Sequence, residues 1–259
     1  MRITYIGHAT LLLQIGDQTI LTDPNFDTHL GWVLKRVSLP GIAIDALPKL
    51  DALLLTHAHA DHLSFESLKL LPRDIPLYAP PPVARWLIRL GFRHAVPLEA
   101  GEEVAVGEVT ITAAAATHLG ARYSVDRWRN AANMYLLATA DRSVFFAGDT
   151  ALTPDSHRLV ESLIHEQGRT LDVALLPIGH APDWKRASFR KGHLTSEDAL
   201  DLFERLRARY LVPYHWGTFN HVTVNAHEAI VRLRGLLETD PRAPGVRILE
   251  PGQTLDASG

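Results

Sequence analysis

Residues 56–62 read THAHADH, and they follow directly on the apolar run Ala52–Leu55. A short, uninterrupted apolar run is typical of a strand that is buried on both faces. Imidazole and carboxylate groups are costly to bury without partners, so a strand that ends abruptly in them places them at the edge of a sheet. The alternative is a solvated loop that happens to be rich in histidine. The pattern favours a fold built on sheets, with ligand-type side chains along one sheet edge.

The spacing within this segment predicts two metal sites. Residues two apart in an extended chain point the same way, so His57 and His59 can bind one ion together. If the chain then turns into a helix that begins near Ser64, Asp61 and His62 swing to another side and can bind a second ion. Imidazole and carboxylate ligands without thiolate suit Zn²⁺, Mn²⁺ or Fe²⁺.

Further ligand-type residues follow predicted strands elsewhere in the chain. Each of them alone can be read as a structural residue. Together with the first motif, they predict one site built along the edge of a sheet sandwich. They are His118 after the strand Val109–Ala115, Asp149 after the strand Ser143–Ala147, and His215 after the strand Leu211–Pro213.

The composition excludes several other kinds of site. The chain has 259 residues with 14 histidines and no cysteine, which excludes disulfides, thiolate metal sites, iron–sulfur clusters and cysteine nucleophiles. A formal net charge of −3 carries no general signature of nucleic-acid binding, so we expect no nucleic-acid partner. The first residues alternate like a strand, and no apolar run reaches the length of a membrane span. We therefore predict a cytoplasmic protein without a transmembrane segment.

The pattern of elements predicts one domain over residues 1–259, an α/β fold of packed sheets with outer helices. Residues 24–49 are predicted to form an ordered loop. Its apolar residues, among them Trp32 and Val33, should line the mouth of the site or pack on a second subunit. A short helix is predicted at Gly31–Arg36 within this loop, and a longer one at Pro154–Gln167. Further helices are predicted at Ser196–Arg209, with Thr195 as its cap, and at Ala226–Leu237, with a capping box of Asn225 and Glu228. The closing strand is predicted at Val246–Leu249.

Several motifs, in this order, resemble those of one known family. They are Ile6-Gly7-His8-Ala9-Thr10, Leu21-Thr22-Asp23-Pro24, the His-x-His-x-Asp-His segment, His118, Phe146-Ala147-Gly148-Asp149-Thr150, Leu176-Pro177-Ile178-Gly179, His193 with Glu197-Asp198-Ala199, and His215-Trp216-Gly217-Thr218-Phe219. The chain resembles the metallo-β-lactamase superfamily, and within it the branch of N-acyl-phosphatidylethanolamine-hydrolysing phospholipase D and ascorbate-6-phosphate lactonase.

The resemblance implies a fold and a ligand set. The fold is an αββα four-layer sandwich of mixed sheets with outer helices. One ion is implied on His57, His59 and His118, and a second on Asp61, His62 and His215. Asp149 is implied to bridge the two ions.

Other residues are weaker candidates for the site. His193 can act as an acid or contact the substrate, or merely begin a helix, and Asp23 can accept the second ring N–H of a ligand histidine or stand in a turn. His8 and His180 can lie near the cleft or fill structural positions, and the remaining histidines, including His221, are predicted to be surface or structural. A basic cluster can receive a phosphate or form a solvated loop, and it comprises Lys185, Arg186, Arg190 and Lys191.

These observations predict a binuclear metal-dependent hydrolase that uses a metal-bridging hydroxide, with Asp61, Asp149 and His193 as catalytic residues. Zn²⁺ is the preferred ion, with Mn²⁺ or Fe²⁺ as alternatives. The predicted substrate is a phosphodiester or a phospholipid-like molecule, and the alternative is a phosphorylated sugar lactone. A non-catalytic metal-binding scaffold or regulator is the alternative of another class. Peripheral membrane contact and a homo-oligomer are left open.

Overall fold

Two β-sheets face each other in the computed structural model, which describes residues 1–31, 34–123, 125–220 and 225–257. The strands are β1 (Arg2–Gly7), β2 (Thr10–Ile15), β3 (Gln18–Thr22), β4 (His29–Leu30), β5 (Leu34–Lys35), β6 (Ala52–Leu54), β7 (Leu77–Ala79), β8 (Ala95–Pro97), β9 (Glu103–Val106), β10 (Val109–Ala115), β11 (Asn133–Ala138), β12 (Ser143–Phe146), β13 (Val173–Pro177), β14 (Tyr210–Tyr214) and β15 (Thr254–Asp256). The helices are α1 (Phe65–Leu70), α2 (Pro81–Arg89), α3 (Arg158–Val160, continued by a π-helical turn Glu161–His165), α4 (Asp183–Phe189), α5 (Ser196–Leu206) and α6 (Glu228–Leu237).

The direction of the strands decides where the site forms. One sheet has the order β15-β1-β2-β3-β6-β7-β8, and the other has the order β14-β13-β12-β11-β10-β9. In the first sheet β3, β6, β7 and β8 pair in parallel, and in the second sheet β12, β13 and β14 do so. The remaining neighbours in these two sheets pair antiparallel. It follows that β1, β3 and β6 point the same way in the first sheet, and β10, β12 and β14 do so in the second. Each sheet therefore brings the carboxyl ends of several strands to one edge.

Alternating burial along the strands creates the layers. In β2, Leu11 and Leu13 belong to the core between the sheets, whereas Leu12 belongs to the core beneath α1 and α2. Successive side chains of a strand point to opposite faces, so an apolar strand such as β2 can serve two cores at once. Leu68 of α1 and Leu87 of α2 cover the outer face of the first sheet.

The second sheet is covered by α5 and α6, whose buried residues include Leu202 and Ile230. Helix α5 begins as predicted, because the Thr195 hydroxyl accepts from the Asp198 N–H and the Asp198 carboxylate accepts from the Thr195 N–H. It ends at Leu206, earlier than predicted, where Arg207 adopts a left-handed backbone with φ of 46°. The layers run helix, sheet, sheet, helix, which confirms the predicted α/β four-layer sandwich.

The segment 24–49 differs from its prediction. The helix expected at Gly31–Arg36 is wrong at its described residues, because β4 and β5 form a two-stranded ribbon there, and Trp32 and Val33 lie outside the described residues. The Arg36 guanidinium donates to the carbonyls of Asp27 and Asn25 within the segment, and the Val37 N–H donates to the Thr218 carbonyl at 2.8 Å, which holds the ribbon against the body of the protein.

Three other predicted elements also differ. Val246–Leu249 is not a strand: Val246 makes a single bridge to Leu211, and the closing strand is instead β15, which pairs with β1. The helix expected at Pro154–Gln167 starts later, because the Ser156 hydroxyl accepts from the Thr153 N–H in a turn that precedes α3. The capping box of Asn225 and Glu228 is absent from the described residues, because α6 begins only at Glu228.

In the described parts of the chain, every helix is too short or too polar to cross a membrane.

Tyr135 links the two sheets just before the histidine segment. Its buried hydroxyl, on β11, donates to the Leu55 carbonyl at 2.8 Å. We expect Tyr135→Phe to lower the free energy of unfolding by about 1–3 kcal/mol, because a buried carbonyl then loses its donor. Urea denaturation measures this change. Tyr123→Phe is the matched control, since Tyr123 is 54% exposed, and it should change stability by less than about 0.5 kcal/mol. Equal losses in both variants would contradict the assignment.

Candidate metal centre

The first cluster joins three histidines and one aspartate at the edge of the two sheets. Ligand atoms of His57, His59, His118 and Asp149 all lie within 4.8 Å of one another. His118 Nε2 is 3.1 Å from His59 Nδ1, and His118 Nδ1 is 2.7 Å from the Gly192 carbonyl, to which its N–H donates. That hydrogen bond turns Nε2 of His118 toward the cluster. Four ligand atoms so placed can surround one metal ion.

The second cluster lies directly beside the first. Its members are His8, Asp61, His62 and His215, whose ligand atoms also lie within 4.8 Å of one another. Asp61 Oδ2 is 3.0 Å from His8 Nε2 and 3.5 Å from His215 Nε2. The seven predicted ligands are thus brought together in two adjoining groups, with His8 as an additional member of the second.

Asp149 lies in the first cluster and faces the second. Its Oδ2 lies 3.4 Å from Nε2 of His62 and 3.4 Å from Nε2 of His215, two members of the second cluster. Gly148, which precedes it, has φ of +57°, and a Cβ there would stand 2.8 Å from Thr56 Cγ2. A glycine is therefore required for the tight turn that brings the Asp149 carboxylate between the sheets.

Asp23 orients His62, which is one of the two roles that the sequence left open for it. Its fully buried carboxylate lies 2.7 Å from His62 Nδ1 and accepts that ring N–H. The same carboxylate accepts from the Thr56 backbone N–H at 2.7 Å and from the Thr56 hydroxyl at 2.7 Å. Because Nδ1 of His62 carries the proton, Nε2 offers its lone pair to the cluster.

His8 has a more central place than the sequence indicated. Its backbone is left-handed, with φ of 55°, and its N–H donates to the Tyr5 hydroxyl and the Thr218 hydroxyl. The His8 carbonyl accepts from the His215 N–H at 3.1 Å, and the two imidazole rings are 3.9 Å apart. The signal in the sequence was a histidine directly after a strand, but its role depends on contacts more than 200 residues away.

The charges of the two clusters suit a cation. Burial, reinforced by neighbouring histidines, lowers the pKa of His57 and His118, the latter to about 4, so these rings are neutral near pH 7. Burial opposes ionisation of Asp61 and Asp149, but the surrounding histidines outweigh it and hold both carboxylate pKa values well below their usual range. The two buried negative charges therefore draw positive charge to the clusters, either as protons on His62 and His215 or as bound cations.

The charges of Asp61 and Asp149 also act on His215, whose ring lies near both carboxylates. Burial lowers the pKa of His215, but Asp149 and Asp61 outweigh it and raise the pKa to about 9. The electrostatic attraction that favours a proton there also favours a metal ion.

Unpartnered polar atoms provide an independent test of whether metal ions fit. Five buried ligand-type atoms of the two clusters make no hydrogen bond among the described residues. Such atoms are rare in proteins and call for a partner. They are His57 Nε2, His62 Nε2, His215 Nε2, His8 Nδ1 and Asp149 Oδ1. Imidazole nitrogens and carboxylate oxygens are ligands of divalent transition metals, so the residues fit such ions.

His193 lies next to the centre but in neither cluster. Its Nε2 is 3.7 Å from Asp149 Oδ2, and its ring stacks on Phe189 with centroids 4.5 Å apart. Its Nδ1 lies 3.3 Å from the Phe189 carbonyl, to which the N–H donates, so Nε2 faces the centre. Burial lowers the pKa of His193, although the nearby negative charge of Asp149 partly offsets this effect.

The basic cluster is divided by its ion pairs. The stretch predicted as a loop is helix α4, and from it Arg186 pairs with Glu197 at 2.7 Å. Arg190 pairs with Asp198, and Lys191 is exposed. Only Lys185 of the four faces the cavity beside the metal centre, together with His180, whose Nε2 is 3.1 Å from Glu228 Oε2.

Comparisons with known proteins agree with this geometry. The family described as Beta-lactamase superfamily domain matches residues 18–216, so the chain belongs to the metallo-β-lactamase superfamily. A UPF0173 metal-dependent hydrolase of Solibacter usitatus is 29% identical over 98% of this chain and 99% of its own length. N-acyl-phosphatidylethanolamine-hydrolyzing phospholipase D 1 of Caenorhabditis elegans is 27% identical over 83% of this chain and 64% of its own length. The family match and these relatives together show that the chain is a metal-dependent hydrolase. The predicted family and enzyme class are therefore confirmed.

Solved structures share the fold. An isothiocyanate hydrolase from Delia radicum gut bacteria superposes with a TM-score of 0.77 at 24% identity, covering 99% of both chains. The diiron β-hydroxylase CmlA from Streptomyces venezuelae superposes with a TM-score of 0.67 at 22% identity, covering 98% of this chain and 53% of its own. The fold thus accompanies different chemistries in different proteins, so the reaction has to be argued from the site.

The contact between Asp23 and His62 yields a measurable consequence. We expect Asp23→Asn to weaken metal binding about 10- to 100-fold, because the amide keeps the shape but loses the charge that orients the ring. Titration of the apoprotein against a chelator of known affinity measures the change. Asp45→Asn, at an exposed position, is the matched control and should bind metal normally. Unchanged affinity in Asp23→Asn would contradict the orienting role.

Proposed function

We propose that this protein is a binuclear metal-dependent hydrolase. The observation that carries the proposal is the placement of Asp149, whose carboxylate is counted with one cluster and lies 3.4 Å from two histidines of the other. One ion would be held by His57, His59 and His118, with Asp149 shared between the two sites. Asp61, His62 and His215 would hold the second ion, with Zn²⁺ preferred over Mn²⁺ or Fe²⁺. Two divalent ions, when bound, make water nucleophilic at neutral pH and polarise the oxygen under attack.

The protein's own residues would orient the reactants. The Asp61 carboxylate is 26% exposed and faces the cavity, so it can accept a proton from the attacking water. His8 holds that carboxylate through Nε2 at 3.0 Å, which restricts its rotation. Asp149, 2% exposed, has no such access to water and would serve as a ligand alone.

His193 would move the second proton. Its Nδ1–H is held by the Phe189 carbonyl, and its Nε2 faces the centre from outside both ligand sets. An imidazole so placed can take up a proton at Nε2 from the reacting groups and then pass that proton to the leaving oxygen.

The proposed substrate is a phosphodiester or a phospholipid-like molecule. Lys185 on the wall of the cavity supports an anionic substrate, and the named activity of the C. elegans relative supports the same class. The second candidate is a lactone. Arg186 and Arg190 are already paired with carboxylates of α5. Of the basic cluster, Lys185 is then the one cation on the cavity wall, and this limited positive charge favours a lactone over a phosphodiester.

Asp149→Ala tests the binuclear proposal. We expect this variant to lose metal from at least one site and to lose turnover of bis-p-nitrophenyl phosphate, because one carboxylate serves both ions. Metal content per chain is measured by elemental mass spectrometry, and turnover is followed by release of p-nitrophenol. Asp17→Ala, at an exposed turn, is the matched control and should keep both.

Two outcomes would count against the proposal. If Asp149→Ala retains full metal content and full turnover, the shared ligand is wrong. If the natural protein binds two ions but turns over neither phosphodiesters nor lactones, the non-catalytic metal-binding scaffold gains support.

His193→Ala tests the proton transfer separately. We expect kcat to fall about 100- to 10,000-fold, the usual contribution of a general acid or base. The metal content should stay at that of the natural protein, because His193 lies outside both clusters. His29→Ala, at an exposed position on β4, is the control. Loss of one metal equivalent in His193→Ala would instead identify His193 as a ligand.

A further inference from the structure

A cavity of about 240 Å³ opens beside the second cluster. Its floor is formed by His8, Asp61 and His215, so anything bound in the cavity lies next to the metal centre. Most of the wall is apolar, and it comes from distant parts of the chain. The apolar residues include Leu30, Leu34, Ile178, Trp216, Phe219 and Ala229.

The wall is held in place by contacts behind it. The Trp216 indole N–H donates to the Pro213 carbonyl at 3.1 Å, and its ring stacks on Tyr5 with centroids 5.8 Å apart. The Arg36 guanidinium lies 4.7 Å from the centre of the Phe219 ring, whose edge meets His8. These aromatic side chains are therefore ordered before any ligand enters, which lowers the entropic cost of binding.

The polar groups of the cavity are unevenly placed. Besides the floor, the polar lining residues are Lys185, His180, Asn225 and Thr218. His180 is already paired with Glu228, and the Thr218 hydroxyl donates to the Trp216 carbonyl. A ligand can thus meet charge at the metal centre and at Lys185, whereas the described apolar side chains of the wall offer no free hydrogen-bond partner. A polar substituent placed against that wall would lose its hydrogen bonds to water without replacement.

We propose that this cavity binds a compact apolar group of the substrate, such as a phenyl ring or a short alkyl chain, attached next to the bond that is cleaved. The inference rests on the proposed hydrolytic function and narrows its substrate class. The volume of 240 Å³ is smaller than that of pockets that enclose drug-sized ligands, roughly 300–1,000 Å³. A cavity of this size suits a phenyl ring or a short alkyl chain better than a long acyl chain.

Binding of alkylphosphonates to the zinc-loaded protein tests the proposal without relying on turnover. The phosphonate group can occupy the metal centre, and the alkyl group then extends into the cavity. We expect the Kd, measured by isothermal titration calorimetry, to fall about threefold to fourfold for each methylene from methyl to hexyl. Phenylphosphonate should bind about as tightly as the hexyl compound. No further gain is expected from octyl to dodecyl, each used below its micelle concentration.

Two variants of the wall sharpen the test. Leu34→Trp should fill the cavity and abolish the gain from longer chains, while the Kd of methylphosphonate stays within twofold of the natural value. Leu30→Ala should enlarge the cavity and move the limit beyond hexyl, which keeps the test valid if the tryptophan variant folds poorly. Leu39→Trp lies in the same segment and is the matched control, because Leu39 is 85% exposed and should change nothing.

The proposal is overturned if the Kd keeps falling by the same factor through dodecyl, or if it does not depend on chain length. Failure of the proposed function has a different signature. In that case the zinc-loaded protein turns over neither phosphodiesters nor lactones, while the limit on chain length persists in the calorimetric data.

Discussion

The buried carboxylate of Asp149 determines how the rest of the site is built. It is 2% exposed, and its Oδ1 has no hydrogen bond among the described residues. A charge in such a place is stable only if positive charge is brought to it, and the chain surrounds it with imidazoles that can either take up protons or bind metal. The tight turn at Gly148 and the hydrogen bonds of Asp23 serve to keep these groups facing that carboxylate.

Strand direction explains why the ligands meet. In the first sheet β1, β3 and β6 end at one edge, and in the second sheet β10, β12 and β14 do so. His8, Asp23 and His57 come just after strands of the first group. His118, Asp149 and His215 come just after strands of the second. A loop that follows a strand is free to carry polar groups, and the strand fixes its position.

Much of this could be predicted from the sequence, because the signals are local. Residues 56–62 carry their spacing with them, and Asp149 follows an apolar strand that is easily recognised. The place of His8 could not be predicted, since it depends on a left-handed backbone and on the distant Thr218 hydroxyl. The closing strand was missed for a similar reason: Thr254–Asp256 is held by backbone pairing with β1, whereas the more apolar Val246–Leu249 makes only one bridge.

The hydrogen bond from the His215 N–H to the His8 carbonyl has a consequence for how the protein matures. These two residues are separated by most of the chain, so the second cluster cannot assemble until the last strand of the second sheet has been added to the fold. Contacts of such long sequence separation also form late and slow the search for the native topology. This contact joins the first strand to the far end of the second sheet, so a cation bound by the second cluster would stabilise the folded chain relative to the unfolded one.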